Sequence, residues 1–278
     1  MIRVLYMSDL HLEMVRGRRS LADVFRGRAT PDARPALKTV PPPDLVVLAG
    51  DIHNSLLSVA YADSLAKRFA APVALVAGNH EFYFHNLPEA QAQMAKAAAA
   101  TQGRVRVLEN EMFTLEQEGQ RLHVLGSTLW TDFSLNHDCA LSSAHAGERM
   151  NDYRLINDGT RRLRPDLTLK RHFAARAWLH TTLARLKADD PLAPRLIVTH
   201  HAPAGAFLGR RQGAIGPAYA SDLLPEFAPY APAFWVHGHT HYRHETFTHG
   251  FWVVSAPRGY GHEQESGAAP YQPGILEI

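Results

Sequence analysis

DLVVLAGDIHN, residues 44–54, carries five apolar residues into a glycine and then an aspartate. A Val/Leu-rich run of that length suits a strand buried on both faces of a sheet. The abrupt change at Gly50-Asp51 sets a polar side chain where the strand ends. The same pattern recurs along the chain. IRVLYM (2–7) runs into Ser8-Asp9, PVALVAG (72–78) into Asn79-His80, RLIVT (195–199) into His200-His201, and AFWV (233–236) into His237. Helical patterns alternate with the early runs at 55–70 and 87–100, and another covers 169–187. Strand–helix alternation of this kind predicts an α/β fold.

Residues 104–116, 121–131, 242–255 and 272–278 read as strands without intervening helices, so a second, partly antiparallel sheet is expected. Two excursions are irregular. One is Arg-rich, spans about 14–43 and closes with Pro41-Pro42-Pro43; the other, 202–220, is punctuated by Gly205, Gly209, Gly213 and Gly216. No repeat or linker interrupts the chain, and a single domain over 1–278 is the expected organisation.

Composition narrows the class. With 46% hydrophobic and 20% charged residues, the chain reads as a globular protein with a sizeable core. A formal charge of +2 gives no argument for a nucleic-acid partner. The single Cys139 excludes an intramolecular disulfide and a cysteine zinc cage, and fits a reducing compartment. MIRVLYMSDLHLE lacks the pattern of a secretory signal, and no apolar run approaches the ~20 residues that span a bilayer. A cytoplasmic enzyme with no membrane partner is therefore expected. Seventeen histidines are unusual, and their placement carries the information.

The polar residues after the strand-like runs are, in order, Asp9 and His11, Asp51, Asn79 and His80, His200, then His239 and His241. In open α/β sheets, ligands bind beyond the carboxyl ends of the strands, so distant residues converge on one rim. Asp, Asn and His are oxygen and nitrogen donors without thiolate, a set suited to Mn²⁺, Fe²⁺ or Zn²⁺. Asp9 and His11 are two apart, as are His239 and His241, so an extended backbone would aim each pair the same way. Gly50, Gly78 and Gly238 precede their polar residues and would let backbone approach the ions. The set exceeds what one metal uses, and two metals sharing Asp51 is the economical reading. His237 and His244, beside the G-H-x-H stretch, read as bystanders, and His201 as a supporting residue.

These motifs, D-x-H (9–11), G-D (50–51), G-N-H-E (78–81), His200 and G-H-T-H (238–241), resemble the calcineurin-like metallophosphoesterases in type and order over most of the chain. Singly each motif is weak; together and in order they are specific. The resemblance implies a four-layer α/β/β/α sandwich, with two mixed β-sheets flanked by helices, and a dinuclear centre. Asp9, His11 and His241 would hold one metal, and Asn79, His200 and His239 the other, with Asp51 bridging. A metal-bridging hydroxide would attack phosphorus in line with the leaving oxygen. Asp51 and His80 are the expected catalytic residues, His80 as an imidazolium that neutralises developing charge and protonates the leaving group. Many relatives carry Asp after that histidine where this chain has Glu81, which leaves the orientation of His80 open.

Taken one at a time, Asp9, Asp51 and Asn79 are ordinary turn or cap residues and His80 an ordinary surface or core histidine. Their joint order is what argues for a site. Substrate contacts are less defined. Arg16, Arg154 and Arg210 are the candidate phosphate-binding arginines, because a guanidinium binds phosphate bidentately. The alternative for the arginines of 16–34 and 210–211 is a solvated loop, and NDYRLI (151–156) is either a pocket element or a docking segment. The expected activity is hydrolysis of a small phosphodiester or phosphomonoester. A nuclease or cyclic-nucleotide phosphodiesterase is the alternative within the same chemistry, though Phe25 is the only aromatic among those arginines. A non-catalytic binding scaffold would be expected to have lost ligands, and none is missing.

Overall fold

The computed structural model describes residues 1–14, 42–261, 263 and 271–278. Arg16 and nearly all of the Arg-rich excursion lie outside these residues.

Strands β1 (Arg3–Met7), β2 (Leu45–Ala49), β3 (Val73–Val76) and β4 (Val105–Val107) are parallel neighbours in a five-stranded sheet, which β13 (Gly274–Glu277) completes by antiparallel pairing with β1. The second sheet has six strands: β5 (Glu111–Gln117), β6 (Gln120–Ser127), β9 (Arg195–Thr199), β10 (Phe234–Val236), β11 (His244–Thr248) and β12 (Phe251–Ser255), in the order β11-β12-β10-β9-β6-β5. Its centre, β6-β9-β10-β12, is parallel, and β5 and β11 pair antiparallel at the edges. A short ribbon joins β7 (Asn157–Asp158) to β8 (Arg161–Arg162).

β2 shows why the two sheets stack. Val46 and Leu48 point to one face, against Val59 and Leu65 of the helix Leu56–Phe69 and Leu87 and Met94 of the helix Leu87–Ala99. Leu45, Val47 and Ala49 point to the other, where they meet Val124, Leu196, Val198 and Val236 of the second sheet. Alternation of period 2 thus feeds two apolar layers from one continuous run. The outer face of the second sheet packs Ile197, Trp235 and Val253 against Leu179 and Leu183 of the helix Pro165–Asp189. The result is the expected α/β/β/α layering with two mixed sheets.

Two strand boundaries differ from expectation. The run 104–116 divides into β4 and β5, which belong to different sheets; the chain crosses between them at Leu108–Asn110, with Asn110 left-handed. The run 242–255 is a hairpin, turned at His249-Gly250 with both residues at positive φ, as a two-residue hairpin loop requires. Among the described residues no helix is long and apolar enough to cross a membrane.

Candidate metal centre

β1, β2 and β3 run parallel in one sheet, and β9 and β10 in the other, so each set delivers its polar residues to one rim. Backbone hydrogen bonds then join the loops. Asp9 N donates to Gly50 O (2.9 Å), His11 N to Asp51 O (3.0 Å) and Gly238 N to His200 O (3.0 Å). Side chains add to this: His80 N donates to Asp51 Oδ1 (2.8 Å) and His239 N to Asp9 Oδ1 (2.9 Å). Gly50, at φ 83°, has no room for a side chain, because a methyl group there would collide with the His200 ring. Its smallness serves the packing of motif against motif.

Asp9, His11 and His241 form one compact group of donors, and Asp51, His200 and His239 another. His11 Nε2 lies 3.0 Å from His241 Nε2, and Asn79 Oδ1 lies 3.1 Å from His200 Nε2. Asp51 faces both groups, with Oδ1 3.4 Å from His200 Nε2 and Oδ2 3.8 Å from His11 Nε2. The backbone route differs from expectation. Asp9, His11, His239 and His241 are left-handed (φ 51°, 45°, 68° and 53°) rather than extended, because β1 and β10 have already ended. The first pair still converges, while His239 turns to His200 and His241 to Asp9 and His11.

Three of the histidines present the same face, while His239 turns Nδ1 to His200. His11 Nδ1 is engaged by Glu13 (3.2 Å), His200 Nδ1 by the Ala49 carbonyl (2.9 Å) and His241 Nδ1 by Glu263, so each turns Nε2 into the cluster. Engagement of the outer nitrogen by a carbonyl or carboxylate is the usual support of a metal-ligating imidazole. Two buried donors, Asp9 Oδ2 and His239 Nε2, have no hydrogen-bond partner among the described residues. An orphaned carboxylate oxygen is costly, and a divalent cation would satisfy it. The nitrogen and oxygen donors present therefore fit such a cation.

His80 stands against both groups. Its Nδ1 donates to Glu13 Oε1 (2.9 Å), and its Nε2 lies 3.1 Å from the Tyr260 hydroxyl and 3.9 Å from Asp51 Oδ2. Burial disfavours its charged form, but Asp51 and Glu13 outweigh that and raise its pKa to about 9. Burial likewise pushes Glu13 up, yet hydrogen bonds from His11 and His80 bring it down to about 2. Asp51, also penalised by burial, is held well below the carboxylate range by His200 and His80. Glu81 has a different task. It accepts Asp51 N (2.9 Å), Ile52 N (2.8 Å), Gly78 N (2.8 Å) and the Ser58 hydroxyl (2.9 Å), and so clamps the G-D loop to the G-N-H loop. Glu13, not Glu81, orients His80.

His237 is buried and spans the Gly238 carbonyl and His244 (2.8 Å), while His201 bonds the Thr128 carbonyl and packs beside His239. These are supporting positions, as the sequence suggested. The proposed substrate arginines differ. Arg154 and Arg210 are exposed, and the Arg154 guanidinium turns to the Glu148 carbonyl. Half-buried Arg211 instead brings a guanidinium to within 3.5 Å of His241 Nδ1, bonded to Glu263 (2.7 Å) and over the Tyr219 ring. The sequence reading also missed Asp152, whose Oδ1 accepts Asn79 Nδ2 (2.8 Å) and the Tyr83 hydroxyl (2.8 Å). Glu13 had a signal, lying two residues beyond His11; Asp152 and Arg211 had none stronger than their neighbours.

The double-sheet sandwich and the ordered rim are those that the resemblance of the motifs implied. A model of the calcineurin-like phosphoesterase family matches residues 2–243, and the chain belongs to that family. Among solved structures, it is similar to the phosphopantetheinyl hydrolase PptH from Mycobacterium tuberculosis, at 20% identity and a TM-score of 0.69 over 94% of this chain and 90% of that one. A putative 5'-nucleotidase from Staphylococcus aureus, in complex with alpha-ketoglutarate, matches at 15% identity and a TM-score of 0.50, covering 93% of this chain and 49% of that one. Comparison with curated proteins found no match.

Proposed function

We propose that the chain is a dinuclear metal-dependent phosphoesterase acting on a small phosphodiester or phosphomonoester. The observation that carries this reading is Asp51, with one oxygen turned to His200 and the other to His11, at the junction of two donor groups. Asp9, His11 and His241 would hold one divalent cation, Asn79, His200 and His239 the other, and Asp51 both, with Mn, Fe or Zn suited to the donors. Such a pair acidifies water and polarises phosphoryl oxygens.

The chain's own groups supply the rest. Glu13 fixes the His80 ring and keeps its Nδ1 proton, so Nε2 faces the reaction zone. From there an imidazolium stabilises charge on phosphoryl oxygen and gives its proton to the leaving oxygen. Arg211, held by Glu263 and over the Tyr219 ring, would meet a substrate phosphate. Tyr260 and Tyr219 pack against the donor groups, with ring centroids 4.4 Å from His11 and 4.6 Å from His239.

The test is a hydrolysis screen with added Mn²⁺ over aryl phosphomonoesters, aryl phosphodiesters, cyclic nucleotides, short oligonucleotides and a phosphopantetheinyl ester, alongside elemental analysis. Turnover of at least one class with close to two metal equivalents per chain is expected. Silence across the screen from protein that holds both metals would overturn the enzymatic reading.

A further inference from the structure

The dinuclear reading needs the Asn79 amide to present oxygen, because an amide NH₂ has no lone pair to offer a cation. Nothing within Asn79 selects that face; a half-turn about the last side-chain bond exchanges the two ends. We infer that Asp152 is the positioning residue that makes the selection. Asn79 Nδ2 lies 2.8 Å from Asp152 Oδ1 and 3.0 Å from the Tyr83 hydroxyl, and Asn79 Oδ1 is left 3.1 Å from His200 Nε2. A carboxylate only accepts, so the reversed amide would set oxygen against oxygen in a buried site. Asp152 is 2% exposed, which keeps water from substituting for it.

Asp152 lies 73 residues from Asn79 in sequence, and the fold brings it there by backbone pairing. Phe84 N donates to Leu155 O (2.9 Å) and Asn157 N to His85 O (2.9 Å), which docks the segment 152–157 alongside the loop that follows G-N-H. Tyr83 extends the same brace to His80, the third residue of the motif. Its hydroxyl donates to Asp152 Oδ1 (2.8 Å), and its ring lies 4.2 Å from the His80 ring. One buried carboxylate thereby sets the ligand face of Asn79 and, through Tyr83, the seat of His80.

The inference rests on the dinuclear reading, and one experiment separates the two. Wild type, Asp152→Ala, Asp152→Asn and the exchange variant Asn79→Asp/Asp152→Asn are stripped of metal and titrated with Mn²⁺ by calorimetry. The unfolding temperature is followed with and without Mn²⁺, so that a change in the metal-free fold is read apart from a change in metal affinity. Wild type should take up two equivalents. In Asp152→Ala one equivalent should stay tight while the other weakens by about 10- to 100-fold, as expected for loss of a group that orients a ligand. Asp152→Asn conserves volume and should show a smaller loss, because its carbonyl can still accept from Asn79. The exchange variant puts a carboxylate at position 79, where either oxygen can ligate, and should regain the second equivalent. Equal affinity for both equivalents in wild type, Asp152→Ala and Asp152→Asn overturns the inference alone. Fewer than two equivalents in wild type overturns the dinuclear reading and this inference with it.

Discussion

The two ends of the sandwich are built from the same strands and solve opposite problems. At the amino ends, several charged groups are paired: Arg121 and His123 meet Asp190, and Arg3 meets Glu277. Left-handed residues there, Glu118 and Gly119, form an exposed turn. A groove of about 410 Å³ at this end is lined by Ile2, Arg121, Leu192 and Ile278 without a group of metal donors. At the carboxyl ends, Asp9, His11, Asp51 and His239 are buried and left-handed, and Asp9 Oδ2 and His239 Nε2 have no hydrogen-bond partner among the described residues. Each left-handed non-glycine residue costs about 1–3 kcal/mol, and each orphaned polar atom a similar amount. A fold retains such costs together where the surrounding structure enforces them, and here they coincide with the donor groups. Left-handed non-glycine residues also precede strands at the other end, at Ala70, Gln102, Glu118 and Ala231, and Arg195 Nε is buried there without a hydrogen-bond partner among the described residues; what sets the carboxyl ends apart is that both features fall on the donor residues themselves.

The largest effect expected from this contrast is at Asp51. Asp51→Asn keeps the acceptor for His80 N but removes the charge shared between the donor groups. Turnover should fall on the order of 10³-fold or more, with fewer metal equivalents retained on purification. A variant with wild-type kcat/KM would end the assignment of Asp51 to both groups.

Two glutamates sharpen the comparison within the rim itself. Among the described residues, Glu13 bonds the His11 and His80 side chains, whereas Glu81 accepts mainly from backbone N–H groups. Glu13→Gln should lower kcat by about 10- to 100-fold with little change in KM or unfolding temperature, as for loss of a group that orients a catalytic imidazole. Glu81→Ala strands several buried N–H donors and should cost roughly 2–4 kcal/mol of stability, read by urea denaturation. If the stability loss fell on Glu13 and Glu81→Ala unfolded like wild type, the division of labour would be reversed.

The fold was legible because runs such as LVVLA are apolar on both faces and end abruptly, so strand, layer and rim follow from one pattern. The residues of the two donor groups were legible because each sits at such an end. What lay outside reach has physical reasons. The convergence of Asp9 and His11 depends on left-handed backbone beyond Met7, where strand periodicity no longer holds. Arg211 rather than Arg210 enters the site because an irregular loop has no period to say which neighbour faces inward. Asp152 reaches Asn79 through backbone pairing between two loops, and backbone pairing leaves no mark on side-chain identity.

The smallest effect belongs to a carboxylate far from the rim, and it tests the satisfied side of the comparison. Asp63, on the helix Leu56–Phe69, bonds Arg104 Nε at 2.7 Å and Lys67 Nζ at 2.6 Å. Burial pushes its pKa up, but the hydrogen bonds from Arg104 and Lys67 more than offset this and hold it below 3.8. A carboxylate lowered in the folded state binds fewer protons there than when unfolded. Its contribution is therefore full above pH 3.8 and is lost as the pH falls through the lowered folded value. Lys67 is largely exposed, so the magnitude is small, about 0.5–1 kcal/mol. Urea denaturation of wild type and Asp63→Asn should differ by that amount at pH 7 and converge as the pH is lowered below 3.8. A gap that stays constant or widens with acid would mean that Asp63 acts through packing rather than charge. The paired carboxylates away from the rim would then be no better satisfied than the orphaned ones on it.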